Sequence, residues 1–197
     1  MKILIINMYS TTEIFNVFKK RYERAFKGLS KLYFRNWNDN KGIEILLNLQ
    51  KIDGVIISGS DYFVHNKDKA TVPNIILKSK IPILGICYGF QYFASQYGHP
   101  DFVQTFRQNN YKQYSKEIII KEPFYVPRQK YFFSHKDYVA NVPKQLKIIC
   151  AAKNKIYMAY NARTKYVGIQ FHPERYKATS KPFFKAWLEY ISASKTI

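Results

Sequence analysis

The stretch Ile83-Leu84-Gly85-Ile86-Cys87-Tyr88-Gly89-Phe90-Gln91 constrains the fold of this chain more than any other. A short apolar run of strand length ends in Gly-x-Cys-x-Gly, and an amphipathic segment over 90–97 follows with no linker. A strand that hands directly to a helix belongs to an alternating strand–helix fold. Glycines on both sides of Cys87 allow the chain to reverse sharply and lift that residue clear of its surroundings. This is a strand-to-helix nucleophile elbow, more often built around serine. A thiol in that place sits above a helix N-terminus, whose partial positive charge favours the reactive thiolate. A structural core cysteine at a strand end is the competing interpretation; the paired glycines and a polar Gln91 just inside the helix weigh against it.

The rest of the first half supports the alternation. Lys2–Asn7 is nearly continuous in apolar residues, as a strand buried on both faces must be. Ser10 or Thr11 caps a helix in which Ile14, Phe15, Phe18, Tyr22 and Phe26 recur at helical spacing before Gly28. Leu32-Tyr33-Phe34 is a second strand and 43–49 a second helix. Residues 53–57 form a third strand ending in Ser58-Gly59-Ser60-Asp61, and after a polar loop 73–80 is helical and 81–86 is the strand that delivers Cys87. From residue 101 the chain becomes rich in Tyr, Phe and Ile, with strands expected at 102–106, 116–121, 129–133, 146–152 and 156–160, then a return strand at 166–171. A final helix is capped by Thr179 or Ser180, with Pro182 at its start and Phe183, Phe184, Trp187, Leu188 and Ile191 on its inner face. The sum is one α/β domain over residues 1–197, three layers deep, with a mostly parallel central sheet flanked by helices and additional antiparallel strands in the second half.

Bulk properties narrow the setting. A chain of 197 residues, 47% hydrophobic and 23% charged, has the makings of one water-soluble core. Apolar runs stay short of the ~20 residues of a membrane span, and the N-terminus is a strand without the features of a secretory leader. With Cys87 and Cys150 as the only cysteines no disulfide framework is available, so a reducing, cytoplasmic setting is expected. The formal charge of +19 raises the question of nucleic acid. The basic residues are scattered, however, with Lys19-Lys20-Arg21 the longest run, and heavy Lys, Asn, Ile and Tyr usage also fits AT-rich coding; no dedicated nucleic-acid site is expected. Cys150 falls in an apolar stretch and is assigned to the core, and His65 and His99 lack metal-ligand spacing, so neither a metal nor another cofactor is expected.

The partner of the elbow lies far downstream, in Val167-Gly168-Ile169-Gln170-Phe171-His172-Pro173-Glu174. His172 follows an apolar strand and emerges at its carboxyl end, the end of a parallel sheet where functional groups collect. Glu174, two residues on in extended chain, falls on the same side. A carboxylate beside an imidazole fixes its tautomer and stabilises its protonated form, so Cys87, His172 and Glu174 make a nucleophile, a base and an orienter.

Here the sequence resembles a known family, the class I (triad) glutamine amidotransferases. Gly-Ile-Cys-Tyr-Gly-Phe-Gln at 85–91 and Gly-Ile-Gln-Phe-His-Pro-Glu at 168–174 look like its two most specific signatures, and Ser134-His135-Lys136-Asp137-Tyr138-Val139 is similar to the Ser-His-Gly-Asp-x-Val segment of its GMP synthase branch. The resemblance covers nearly the whole chain and implies a flavodoxin-like sheet. It implies hydrolysis of L-glutamine to glutamate and ammonia through a γ-glutamyl thioester on Cys87, with a separate ammonia-accepting synthetase as partner. By matching position the backbone N–H groups of Gly59 and Tyr88 form the oxyanion hole, and Gln91, Ser134 and His135 hold the substrate, the last two through backbone atoms. The family's oxyanion strand commonly ends Ser-Gly-Gly-Pro. Ser58-Gly59-Ser60-Asp61 departs from it, which implies either a reshaped hole or one that forms with a partner. Lys136 stands where the family has glycine, and Asn7-Met8-Tyr9-Ser10 lacks its usual Asp-Asn pair. Two alternatives stay open beside the glutaminase: a γ-glutamyl hydrolase acting on another γ-glutamyl compound, and a catalytically silent binding scaffold.

Overall fold

The computed structural model of the chain describes residues 1–106 and 111–193. Among the described residues, eleven strands and five α-helices run in the order β1 (Lys2–Asn7), α1 (Thr12–Phe26), β2 (Lys31–Asn36), α2 (Asn40–Leu49), β3 (Gly54–Ile57), α3 (Asn74–Lys78), β4 (Ile83–Ile86), α4 (Tyr88–Tyr97), β5 (Val103–Thr105), β6 (Lys112–Ile120), β7 (Val126–His135), β8 (Asp137–Val139), β9 (Lys147–Ala152), β10 (Lys155–Asn161), β11 (Tyr166–Ile169) and α5 (Lys177–Ser192). A seven-stranded sheet in the order β2-β1-β3-β4-β11-β10-β9 forms the middle layer. Its first five strands are parallel; β10 then adds antiparallel to β11, and β9 antiparallel to β10 at the edge.

Successive side chains of a strand point to opposite faces, and β1 shows what that does to a continuous apolar run. Ile3 and Ile5 enter one core with Tyr22, Phe26, Phe184 and Trp187 of α1 and α5, while Leu4 and Ile6 enter the other with Ile43, Leu46, Ile76 and Phe90 of α2, α3 and α4. The β6–β7 hairpin is a separate two-stranded sheet whose Tyr131 and Phe133 pack into the first core. One isolated bridge, between Phe132 and His172, joins the hairpin to the chain beyond β11. The carboxyl ends of β1, β3, β4 and β11 thereby lie side by side, with the hairpin across them.

The parallel half follows the sequence expectation closely, and the corrections lie at element ends and in the second half. Thr11 caps α1, its Oγ1 accepting from the N–H of Ile14 at 3.3 Å. Ile14 itself is exposed. Helix α2 begins at Asn40 because the side chain of Asp39 accepts from the N–H of Gly42 at 2.9 Å, a cap that the apolar spacing from Ile43 does not show. Neither Thr179 nor Ser180 caps α5: the helix starts at Lys177, both residues are buried inside it, and Pro182 falls beyond its first turn. The hairpin strands β6 and β7 run longer than 116–121 and 129–133, and β8 is additional. The strand expected at 102–106 is reduced to Val103–Thr105, preceded by a 3-10 turn at Pro100–Phe102. Cys150 is half-buried on β9, where burial pushes its thiol up. No helix among the described residues is long and apolar enough to cross a membrane.

Candidate active site

Cys87 stands between β4 and α4 with φ 51° and ψ −99°, a conformation in which an L-residue is strained, at roughly 1–3 kcal/mol. The strain therefore sits on Cys87 itself, while its flanking glycines serve close approach. A Cβ on Gly89 would stand 2.6 Å from the carbonyl oxygen of Ile57 on β3, and one on Gly85 would stand 2.8 Å from the Tyr166 hydroxyl and 2.9 Å from the backbone of Gly89. Two backbone bonds hold the elbow in place: the N–H of Cys87 donates to Ile169 O at 2.7 Å, and its carbonyl accepts from Gln91 N at 3.0 Å. The N–H of Tyr88, first residue of α4, belongs to the helix end whose donors have no intrahelical acceptor. The Tyr88 ring is buried, with its hydroxyl on Ala70 O at 2.5 Å.

His172 is placed by its backbone, its N–H donating to Phe132 O of the hairpin at 2.8 Å. The chain then turns instead of running on extended, with Arg175 N donating to His172 O at 3.2 Å. That turn folds Glu174 back, and His172 Nδ1 meets Glu174 Oε1 at 2.7 Å, with both side chains buried. Burial alone lowers the basicity of an imidazole. Here the charge of Glu174, then that of Cys87, together with hydrogen bonds to both side chains, outweighs it and raises the His172 pKa to about 10. His172 therefore holds its proton through neutral pH between a carboxylate and the sulfur. Glu174 Oε2 is buried without a hydrogen-bond partner among the described residues, while Arg24 donates to the Glu174 carbonyl at 3.3 Å.

The remaining expected residues occupy distinct places. Gly59 is in contact with the pair: a Cβ there would stand 2.9 Å from His172 Cε1, 3.2 Å from the Tyr9 hydroxyl and 3.7 Å from Cys87 Cβ. Ser134 brings its carbonyl to 3.7 Å from Cys87 Sγ and shares with His172 the wall of a cavity of about 240 Å³, also lined by Tyr9, Arg21, Asp61 and Tyr111. Gln91 is buried and its amide nitrogen is committed inward, to Asp137 O at 2.6 Å and Gln170 Oε1 at 3.3 Å. His135 is buried too, its Nδ1 on Asp137 O at 2.8 Å and its Nε2 on the Tyr114 hydroxyl at 3.3 Å. Burial, above all, pushes its pKa down to about 4, so it is neutral beside a charged His172.

Three features are not evident from the sequence. Gln170 Nε2 donates to Cys87 Sγ at 3.4 Å, which extends the buried chain from Gln91 to the sulfur. It lies inside the His172 signature, so its nearness to the base was visible though its direction was not. Tyr9 is buried beside Gly59, and its hydroxyl is held well above the ordinary phenol range by burial first and then by the charges of Glu174 and Cys87. Arg21 and Arg175 line the cavity, Arg21 laid over Phe18 at 4.6 Å and Arg175 over Phe132 at 4.9 Å. Burial, then the neighbouring Arg175, lowers the Arg21 pKa from its usual value.

The elbow thiol, the buried imidazole–carboxylate pair, the Gly59 loop and the N-terminus of α4 thus meet at adjoining strand ends. Residues 13–189 match the family model for the class-I glutamine amidotransferases, and the chain belongs to that family. It is 34% identical over 169 residues to a glutamine-hydrolysing GMP synthase of Wigglesworthia glossinidia brevipalpis, an alignment covering 80% of this chain and 32% of that protein. A second such enzyme, from Blochmanniella floridana, is 32% identical over 71% of this chain and 28% of its own length. The chain thus spans about a third of the curated relatives it matches. Among solved structures, a proposed GMP synthase subunit of Thermoplasma acidophilum superposes with a TM-score of 0.76 at 18% identity, over 99% of this chain and 96% of the other. The glutaminase domain of a Trypanosoma brucei CTPS, solved with acivicin bound, gives 0.69 at 12% identity over 98% and 94%.

Proposed function

We propose that this chain hydrolyses the side-chain amide of L-glutamine to glutamate and ammonia through a γ-glutamyl thioester on Cys87, and supplies the ammonia to a synthetase of the GMP synthase type. The observation that carries the reading is the Cys87–His172–Glu174 arrangement, with Gly59 packed against both reacting side chains.

With the proton on His172, the sulfur of Cys87 attacks the amide carbon, the C–S bond forms and the carbonyl π pair moves onto oxygen. The N–H groups of Gly59 and Tyr88 meet that charge, and such preorganised donors are worth roughly 2.7–4 kcal/mol each in comparable sites. His172 gives its proton to the amide nitrogen, and the C–N bond breaks with its electron pair leaving on ammonia. His172, now neutral, takes a proton from water as the hydroxide adds to the thioester, and the collapse of that intermediate returns the sulfur and releases glutamate. Glu174 holds the ring in one tautomer throughout, and Gln170 steadies the sulfur whenever it is charged. Ser134 bounds the substrate cavity, Arg21 and Arg175 give it a positive mouth suited to the α-carboxylate of an amino acid, and Gln91 and His135 support the Ser134–Asp137 segment from behind.

The recipient of the ammonia is inferred from the relatives, named as GMP synthases, whose remaining two thirds lie outside the match. The setting that follows is cytoplasmic purine nucleotide synthesis. The test is to incubate the purified protein with glutamine and follow glutamate and ammonia together. Equal release of both, abolished by Cys87→Ala, supports the reading. Turnover of other γ-glutamyl compounds but not glutamine would favour a γ-glutamyl hydrolase. Silence toward all of them, with no labelling of Cys87 by a glutamine-like diazo-ketone, would favour a scaffold. Ammonia release that rises when a synthetase and its nucleotide substrate are added identifies the recipient.

A further inference from the structure

The wall of the oxyanion site facing the elbow is the loop after β3, residues 58–61, which has no regular structure of its own. A backbone N–H on such a segment is worth little to a transition state unless something fixes it before the charge develops. Past the backbone bond from Ser58 N to Ile6 O, the fixing is done by side chains on both sides of Gly59. Ser58 Oγ accepts from Met8 N at 3.0 Å and donates to the Gly59 carbonyl at 2.8 Å. Ser60 Oγ donates to Met8 O at 2.6 Å and accepts from Tyr62 N at 2.9 Å, so one hydroxyl closes the turn and anchors it. Asp61 takes the N–H of Ser10 on Oδ1 at 2.9 Å and the Ser10 hydroxyl on Oδ2. The anchor points of these side chains lie on Met8 and Ser10, in the segment between β1 and α1 some fifty residues away in sequence, next to one backbone bond from Ser58 N to Ile6 O at 3.2 Å. That segment is fixed in turn: Tyr9 N donates to Asn7 Oδ1 at 3.0 Å, and the Tyr9 ring stacks on Phe18 with centroids 4.4 Å apart.

We propose that Ser60 and Asp61 are positioning residues of the reaction: they act through Gly59, clamping its peptide against the Cys87–His172 pair so that the oxyanion site is assembled in the isolated chain. The inference rests on the reading of Gly59 as an oxyanion donor. Asp61 also lines the substrate cavity, where its charge could equally meet the ammonium group of an amino acid. The two roles make opposite demands on substitution. Asp61→Asn keeps both bonds to Ser10, its amide oxygen accepting the N–H and its amide nitrogen donating to the hydroxyl, but it carries no charge.

The experiment compares Ser60→Ala, Asp61→Ala, Asp61→Asn and Ser10→Ala with the wild-type chain, measuring kcat and KM for glutamine hydrolysis. The rate of Cys87 alkylation by iodoacetamide, a displacement that forms no oxyanion, is measured beside them. The clamp predicts that Ser60→Ala and Asp61→Ala lower kcat by about 10-fold or more, short of the roughly 10²–10³ for outright loss of a donor. KM and the alkylation rate stay within about 2-fold, and Asp61→Asn recovers most of the loss. Ser10→Ala, a change at an exposed residue that does not itself line the cavity, gives a smaller fall of the same kind and keeps the test decisive if an Asp61 variant folds poorly. Unchanged kcat in Ser60→Ala and Asp61→Ala overturns the clamp, as does alkylation that falls in step with kcat. An Asp61→Asn variant as impaired as Asp61→Ala, with KM raised, assigns Asp61 to the substrate instead and also overturns it. A wild-type chain with no Cys87-dependent hydrolysis sinks the functional reading and the clamp together; a competent wild type with indifferent variants sinks the clamp alone.

Discussion

The two walls of the proposed oxyanion site, the Cys87 elbow and the Gly59 loop, are built by different means. The elbow wall is held by backbone: Cys87 in a strained conformation, the bond from its N–H to Ile169 O, and two glycines that admit α4 against β3 and β4. The loop wall around Gly59 has one backbone bond at its start, Ser58 N to Ile6 O, and beyond it is held by the side chains of Ser58, Ser60 and Asp61, reaching across to Met8 and Ser10. A wall fixed by backbone depends on the absence of side chains and tolerates no added atom. A wall fixed by polar side chains depends on residues that substitution can remove one bond at a time. Damage to the first should appear as lost folding stability, and damage to the second as lost rate in a protein that still folds.

Substitutions at the glycines sharpen that contrast most. Gly59→Ala puts a methyl 2.9 Å from His172 Cε1 at the surface of the site and should lower kcat by roughly 10²–10³. Its unfolding midpoint should move little, as a denaturant melt would check. Gly89→Ala, with its methyl 2.6 Å from Ile57 O in the buried elbow, should cost about 1–3 kcal/mol of stability in the same melt. A Gly59→Ala protein that loses more stability than Gly89→Ala would break the comparison.

Smaller effects test the charges. Against the lowering effect of burial, Glu174 and Cys87 together raise the His172 pKa to about 10, so the imidazole keeps its proton until pH rises through that value. Removing the carboxylate removes a raising influence, so in Glu174→Gln the alkaline limb of the kcat–pH profile should move down by more than about one unit, equivalent to about 1.4 kcal/mol. An unmoved limb would mean that Glu174 does not set the protonation of His172. Gln170→Leu removes one donor from Cys87 Sγ at 3.4 Å. It should slow thiol alkylation near neutral pH by about 3- to 10-fold, the scale of one net hydrogen bond of about 0.5–1.5 kcal/mol.

How much of this was legible in the sequence follows the same division. Strands β1, β3 and β4 announce themselves because burial on both faces leaves a continuous apolar run. The hairpin does not: Lys112 to Ser115 has no apolar alternation, and its pairing with β7 is expressed in cross-strand contacts such as the stacked rings of Tyr114 and Phe133, 4.7 Å apart. Thr179 and Ser180 look like a cap in sequence, but the turn that brings Glu174 to His172 lets α5 begin at Lys177. In the site, Cys87, His172 and Glu174 are identified by scarce residue types in local motifs. Gln170, Tyr9 and the bonds of Ser60 and Asp61 depend on which loop docks where. Ser60 and Asp61 stood out in the sequence as departures from a Gly-Pro pattern; the hydrogen bonds that accompany the departure required the fold.

The central claim is that the Cys87 sulfur forms a covalent bond to the γ-carbonyl of glutamine. Mixing the protein with glutamine, quenching in acid within the first turnovers and sequencing the peptides by mass spectrometry tests it directly. The account predicts a glutamyl adduct on the Cys87 peptide that disappears as glutamine is exhausted. Hydrolysis of glutamine at an undiminished rate by Cys87→Ala, with no adduct on the wild-type peptide, would contradict it.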